Sequence, residues 1–156
     1  MTRLSIRTYE PVDFLNIELM DYERKCRQAM PVFEWALFKK HAGPAATVVD
    51  PDGRIVFICG IHNLWPGVGE IWAVFSPLAK KYPCTWVAAV ELMALHSKDY
   101  VRLQAALDPS YPEAIRFNER LGFKPEGLMR RYGPHGEDRI MYAWVLGEGE
   151  RAWQAK

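Results

Sequence analysis

The side chains best suited to metal binding, nucleophilic attack or proton transfer are scattered along this chain. Three cysteines, Cys26, Cys59 and Cys84, stand far apart with no C-x-x-C pair. That pattern predicts free thiols in a reducing compartment rather than a disulfide framework. Four histidines, His41, His62, His96 and His135, are equally separated, and no zinc-ligand spacing appears among them. His62, in Ile61-His62-Asn63-Leu64-Trp65, is a single imidazole in what reads as a loop, and a lone histidine is more often structural than catalytic. Lys80-Lys81 place two positive charges between Pro77 and Pro83. They suit a phosphate, although an adjacent lysine pair is also ordinary solvated surface. Ser110-x-x-Glu113, with Pro112 between, matches a capping box at a helix entry.

Composition bounds what such residues can serve. A chain of 156 residues with 49% hydrophobic and 13% aromatic content can build one domain with its own core and is unlike a disordered segment. The formal net charge of +1 argues against nucleic acid as the main partner. The opening MTRLSIRTYEPVDF lacks the apolar core of a signal peptide. No apolar run approaches the roughly 20 residues that span a bilayer. The expectation is a cytoplasmic protein with no membrane partner, one domain over residues 1–146, and a tail at 147–156 that either frays or is anchored by Trp153.

The elements that must position these residues follow from periodicity. Leu4 and Ile6 alternate with polar neighbours and predict a first strand. Val12, Leu15, Leu19, Tyr22, Cys26 and Met30 recur at helical steps and predict one long helix. Pro31 opens a second helix with Phe33, Ala36 and Leu37, ending at Gly43. Strands are expected at 46–49, 54–60 and 69–76, with a turn at Asp50-Pro51-Asp52-Gly53 and a breaker at Pro66-Gly67. Ser76-Pro77 starts a helical stretch. The helix over 83–97 carries Glu91 as its one formal charge, which predicts burial around most of its circumference. A strand at 101–107, a helix through Ala114, Ile115, Phe117 and Leu121 capped by Gly122, and strands from Phe123 and over 140–146 complete the chain. The order β-α-α-β-β-β-α-β-α-β-β describes a mixed α/β (α+β layered) domain. The helix at 83–97 crosses over so that strands 69–76 and 101–107 lie parallel.

Ala114-Ile115-Arg116-Phe117-Asn118-Glu119-Arg120-Leu121-Gly122-Phe123 resembles the A-i-x-f-Y-e-k-l-G-F signature of the GNAT N-acetyltransferase superfamily. Gly127, the Tyr132–Asp138 stretch and Met141-Tyr142 resemble its closing hairpin, and Arg7 and Asp13 its opening strand and first helix. The resemblance spans nearly the whole chain. It implies a mixed central sheet of about six to seven strands flanked by helices. In the superfamily the strand corresponding to Gly69–Ser76 splays from its parallel neighbour. The pantetheine arm of acetyl-CoA bonds there to backbone, here that of Trp72, Ala73, Val74 and Phe75. A glycine-rich loop then cradles the pyrophosphate with amides at a helix N-terminus. Several members carry a glutamate at the position of Glu70 as general base for the amine. The resemblance also implies a strand amide, that of Val74, for the oxyanion. Homodimers are common with this fold.

Three departures stand out. The stretch Ser76–Thr85 contains no glycine and has two prolines that lack amide donors, which leaves Lys80 and Lys81 for the pyrophosphate. The tyrosine that often protonates the leaving thiolate is Asn118, whose amide can donate a hydrogen bond to the cofactor, and it is expected among the cofactor-binding residues, but it is no proton donor. The N-x-x-A asparagine is Tyr111. Ile71–Leu78 followed by Lys80-Lys81-Tyr82-Pro83 also resembles small GNAT-like proteins of tailed bacteriophages with a degraded cofactor loop. Two functions from different classes therefore stay open. One is an acetyl-CoA-dependent N-acetyltransferase acting on an amine. The other is a degenerate module of phage origin with a structural or assembly role, its tryptophans (Trp35, Trp65, Trp72, Trp86, Trp144 and Trp153) partly serving an interface with a phage or host protein. Packing is their ordinary use.

Overall fold

A computed structural model describes residues 3–82 and 84–148. Its strands are β1 (Ser5–Thr8), β2 (Ala45–Val49), β3 (Ile55–Trp65), β4 (Val68–Phe75), β5 (Arg102–Leu107), β6 (Lys124–Met129) and β7 (Arg139–Val145). They form one seven-stranded mixed sheet in the order β1-β2-β3-β4-β5-β7-β6. The helices are α1 (Pro11–Asn16), α2 (Asp21–Gln28), α3 (Val32–His41), α4 (Thr85–His96) and α5 (Pro112–Arg120), with short 3-10 turns at Pro77–Lys81 and Ser97–Asp99. The chain divides into two compact units, Met1–His62 with Trp72–Ala89 and Asn63–Ile71 with Val90–Lys156.

In the first unit β1 pairs antiparallel with β2, and β2 with β3. Its core gathers Tyr9, Phe14, Ile17, Ala36, Ile58 and Val74, with Trp35 and Trp72 packed against them. The single helix expected from Val12 to Met30 is two. Ile17 leaves the helical region (φ −59°, ψ 134°) and caps α1 through its amide to the Asp13 carbonyl, 2.9 Å. The cause is tertiary. Phe14 and Ile17 enter the core while Val12 and Leu15 of the predicted stripe face solvent, so the buried face is one residue off and the chain bends to seat Ile17. α3 repeats the pattern, burying Ala36 and Lys39 and exposing Phe33 and Leu37.

Asp13 ties this unit together. Arg7 Nη1 and Nη2 donate to its two oxygens at 2.8 and 2.7 Å, Thr47 Oγ1 donates at 2.7 Å and the Glu10 amide at 2.9 Å. Burial alone would raise the Asp13 carboxyl. The bonds from Arg7, Thr47 and Glu10 outweigh it and hold the group below its ordinary value.

In the second unit β4 meets β5 in parallel at Val68–Arg102, Gly69–Leu103 and Glu70–Gln104. β5 pairs antiparallel with β7, and β7 with β6. Alternation along β5 buries Leu103, Ala105 and Leu107. α5 ends where Gly122 takes φ 89°, a left-handed cap, and its amide returns to the Glu119 carbonyl at 3.0 Å.

Three further expectations are corrected. The capping box at Ser110 does not form: Ser110 Oγ and its amide donate to Asp108 at 2.7 and 2.8 Å, and Tyr111 is the N-cap of α5. Residues 61–65 are strand, the end of β3, not loop. α4 is not buried around most of its surface, since Ala88, Ala89 and Met93 are buried while Trp86, Val87 and Leu95 are exposed. Among the tryptophans, Trp144 is fully buried and Trp65 largely exposed. Pro83, Trp153 and most of the 147–156 tail lie outside the described residues. No described helix is long and apolar enough to cross a membrane.

Candidate functional site

Glu70 is half-buried on β4, opposite Gln104 in the parallel register. Gln104 Nε2 donates to Glu70 Oε2 at 3.3 Å, and Gln104 Oε1 accepts from Arg102 Nε at 3.0 Å. Arg102 is itself held by Glu126 through Nη1 (2.9 Å) and Nη2 (2.6 Å), a bidentate fork across to β6. A row of four polar side chains thus fixes the orientation of Glu70. Tyr132 belongs to its surroundings: the negative charge of Glu70, and secondly burial, raise the phenol's pKa against the opposing Arg139. Only Glu70 of this group was singled out by resemblance. Gln104, Arg102 and Glu126 sit on strands remote in sequence and Tyr132 between β6 and β7, and β-alternation alone does not mark them.

The strand residues named for the cofactor, Trp72, Ala73, Val74 and Phe75, are the second half of β4 and belong to the first unit. Trp72 and Val74 pack with that unit's core, and Phe75 stacks on Phe57 with centroids 5.2 Å apart. Ser76 donates both its amide and Oγ to the Val56 carbonyl at 2.9 Å. Lys80 and Lys81 are exposed at the end of the 3-10 turn.

The amides of this stretch are largely turned inward. Ala79 donates to Ser76, Tyr82 to Ala79, Thr85 to Tyr82, and Val87 and Ala88 to Cys84, at 3.0–3.3 Å. The stretch is also tethered. Tyr82 Oη donates to Asp50 Oδ2 at 3.2 Å, and Asp50, buried, accepts from the Asp52 and Arg54 amides and from Arg54 Nε. Burial pushes the Asp50 carboxyl up, but the Arg54 and Tyr82 bonds prevail and lower it.

Asn118, in the second unit, is buried on α5. Its Nδ2 donates to the Ala114 carbonyl at 2.8 Å, and its Oδ1 has no partner. That places an acceptor, not an acid, where the superfamily signature has tyrosine. Tyr111 stands at the entry of α5 as its N-cap.

His62 is buried between Trp35, Phe38 and Trp72, with ring centroids 6.1, 4.9 and 5.8 Å away. Burial, then the charge of Lys39, lowers its pKa to about 3, so the imidazole is neutral. Lys39 Nζ lies 3.9 Å from the Trp72 ring centroid. All three cysteines are free, and burial raises the Cys59 thiol to about 12. Among the described residues no three His, Cys, Asp or Glu side chains are grouped to hold a metal ion.

No family model and no curated protein sequence matches the chain. Solved structures do. A GNAT-family acetyltransferase from Bacillus anthracis superposes with TM-score 0.69 at 20% identity, covering 93% of this chain and 96% of that one. A GNAT-superfamily phosphinothricin acetyltransferase from Sinorhizobium meliloti, in complex with AcCoA, gives 0.69 at 20% identity over 96% and 91%. A spermidine N-acetyltransferase chimera from Vibrio cholerae and hSSAT gives 0.74 at 14% over 99% and 100%. The chain therefore has the GNAT fold over nearly its full length. The comparisons lend no support to a phage origin.

Proposed function

We propose that this protein is an acetyl-CoA-dependent N-acyltransferase in which Glu70 is the general base. The observation that carries the reading is the ordered row Glu126–Arg102–Gln104–Glu70, which presents an oriented carboxylate on β4.

The residues fit the cofactor along the strand and by charge. The backbone of Trp72–Phe75 would hold the pantetheine arm. Lys80 and Lys81 would hold the pyrophosphate as point charges, replacing the amide cradle whose donors here are turned inward. When bound, acetyl-CoA supplies the acyl thioester. Glu70 takes a proton from the acceptor's ammonium and leaves a neutral amine. The Val74 amide would be the donor to the acyl carbonyl oxygen. Tyr132, close enough to Glu70 to feel its charge, keeps its proton across the working pH range and is the acid that Asn118 is not. Positioning supplies much of the remaining acceleration. The fold does not choose the acceptor, since one neighbour is named for spermidine and another for phosphinothricin.

A second reading is favoured by the inward-turned amides: a GNAT-fold module with a structural or assembly role and no cofactor. Titration calorimetry with acetyl-CoA separates the two. Micromolar binding weakened at least tenfold in K80A/K81A, with acetyl transfer to an amine panel abolished in E70Q, supports the enzyme. No binding at about 1 mM ligand, where even a site of about −4 kcal/mol begins to fill, leaves the structural module.

A further inference from the structure

We propose that the first unit carries a binding site for a small carboxylate with an apolar body, formed by Arg27 of α2, Lys39 of α3, His62 of β3 and Trp72 of β4 around the ring of Phe14. It rests on the acyltransferase reading in one respect only: under that reading the carboxylate belongs to the amine acceptor.

The site is marked by buried nitrogens that lack partners. Arg27 Nε and Nη2, Trp72 Nε1 and His62 Nε2 are all buried with no hydrogen bond. Buried polar groups are otherwise satisfied almost without exception, and each orphan calls for a physical account. Here all four belong to one unit, Arg27 against the ring of Phe14 and His62 against that of Trp72. The Arg27 guanidinium lies 3.9 Å from the Phe14 centroid, and Lys39 Nζ lies 5.5 Å from that centroid and 3.9 Å from that of Trp72. His62 stacks on Trp72. Arg27 has one bond through Nη1, to the Phe14 carbonyl, so its outer fork edge is the part left over.

The chemistry of these groups selects an anion. Arg27 and Trp72 nitrogens only donate, and neutral His62 donates in its Nε2–H tautomer. Asp13, beside Phe14 in the chain, is already engaged by Arg7, Thr47 and the Glu10 amide, and Glu23, one helical turn before Arg27, acts on it through its charge. Burial lowers Arg27 by more than Glu23 and Tyr9 raise it, so an arriving carboxylate would restore what the fold withdraws. A guanidinium edge of two parallel N–H groups matches the two oxygens of a carboxylate. The rings of Phe14, Trp35 and Trp72 suit an apolar body.

The test uses the full-length protein without acyl-CoA and three probes: phenylacetate, L-phenylalanine and phenethylamine, which lacks the carboxylate. Binding is read by calorimetry and by tryptophan fluorescence, with circular dichroism to show that each variant is folded. Phenylacetate and L-phenylalanine are expected to bind, and phenethylamine at least about tenfold more weakly, the range of a charge-assisted hydrogen bond. R27M should weaken both carboxylates about ten- to hundredfold, and W72F, which keeps a ring and removes Nε1–H, by a smaller factor. Equal binding of phenethylamine, or carboxylate binding unmoved by both variants, overturns the site. So does absence of carboxylate binding to folded wild type, which would assign the orphan nitrogens to buried water. If R27M does not fold, W72F decides alone: unchanged binding overturns the proposal. Carboxylate binding without acetyl transfer would count against Glu70 and leave this site standing. Acetyl transfer without carboxylate binding would do the reverse.

Discussion

Arg102 Nε donates to Gln104 Oε1 at 3.0 Å, and this contact decides which end of the Gln104 amide faces Glu70. Only the NH₂ end is left to donate to the carboxylate. Gln104→Glu removes that donor and sets a second carboxylate at the 3.3 Å position beside Glu70. A neighbouring like charge disfavours ionisation and raises a carboxyl pKa. If Glu70 is the base, it must be ionised to act, so the acidic limb of kcat/KM for acetyl transfer should move to higher pH by about one pH unit or more. Gln104→Ala should lower the rate, because it removes the donor that orients the carboxylate. A pH–rate profile of both variants checks this, and an unmoved limb in Q104E would remove Glu70 from the mechanism.

Asp13 makes stability sensitive to acid. Its folded pKa is depressed despite burial, by Arg7, Thr47 and the Glu10 amide, so the folded state binds fewer protons than the unfolded one. The stabilisation is complete above the unfolded value of about 3.9 and is lost as pH falls through the folded value. Asp50, depressed by Arg54 and Tyr82 against its burial, acts in the same direction. Urea denaturation from pH 7 to 2 should show the midpoint falling steeply below about pH 4. Asp13→Asn should cost about 1–3 kcal/mol at pH 7 and approach wild type near pH 2.

Features set by a few neighbouring residues were legible in the sequence. The Asp50–Gly53 turn closes with Gly53 at φ 79°, and Gly122 caps α5 at φ 89°, because a left-handed backbone nearly requires glycine. The succession of strands along the chain followed from alternation and breakers, and the parallel pairing of β4 with β5 from the crossover helix. What failed was decided by tertiary contacts. Ile17 is drawn into the core and breaks the predicted helix. Asp108 takes the Ser110 hydroxyl that a capping box would use. Glu70 was reachable only through resemblance, and its supports Gln104, Arg102 and Glu126 were not, since they meet by strand pairing rather than by spacing. Arg27, Lys39, His62 and Trp72 come from four elements and share no sequence pattern.

Gly60 is where the backbone of β3 makes room for Trp72. A Cβ at this position would lie 2.6 Å from the Pro44 carbonyl oxygen, 2.8 Å from Ala45 Cβ and 2.9 Å from Trp72 Cζ2. Two of these three neighbours, the nearest of them backbone, are held by β2 and its entry, so the β2 edge must give as well as the indole. Gly60→Ala should cost about 1–3 kcal/mol, the range for a small-to-large change that forces its immediate neighbours to move. It should also move the tryptophan fluorescence, because Trp72 contacts both Tyr9 and His62. Thermal unfolding with the emission spectrum checks both expectations. Wild-type stability in the variant would mean that the space beside Trp72 yields freely.

His62 gives the fold a second pH dependence, in a window well above that of the aspartates. Its folded pKa is lowered to about 3 by burial and by Lys39, while the unfolded chain titrates near 6.5. Between these values the unfolded state binds the extra proton, so stability rises with pH and falls on acidification. The loss begins as pH drops through about 6.5 and should reach about 2 kcal/mol by pH 5. Rings of Trp35, Phe38 and Trp72 surround the imidazole, and none of them offers a charge to stabilise the imidazolium. His62→Gln keeps a polar side chain of similar size and removes the titration. Its unfolding free energy should therefore be flatter than wild type from about pH 6.5 down to about 3, where the His62 contribution ends, and the aspartate-driven decline is common to both proteins. Parallel curves over pH 7 to 5 would mean that His62 gains a proton without leaving its place between the rings.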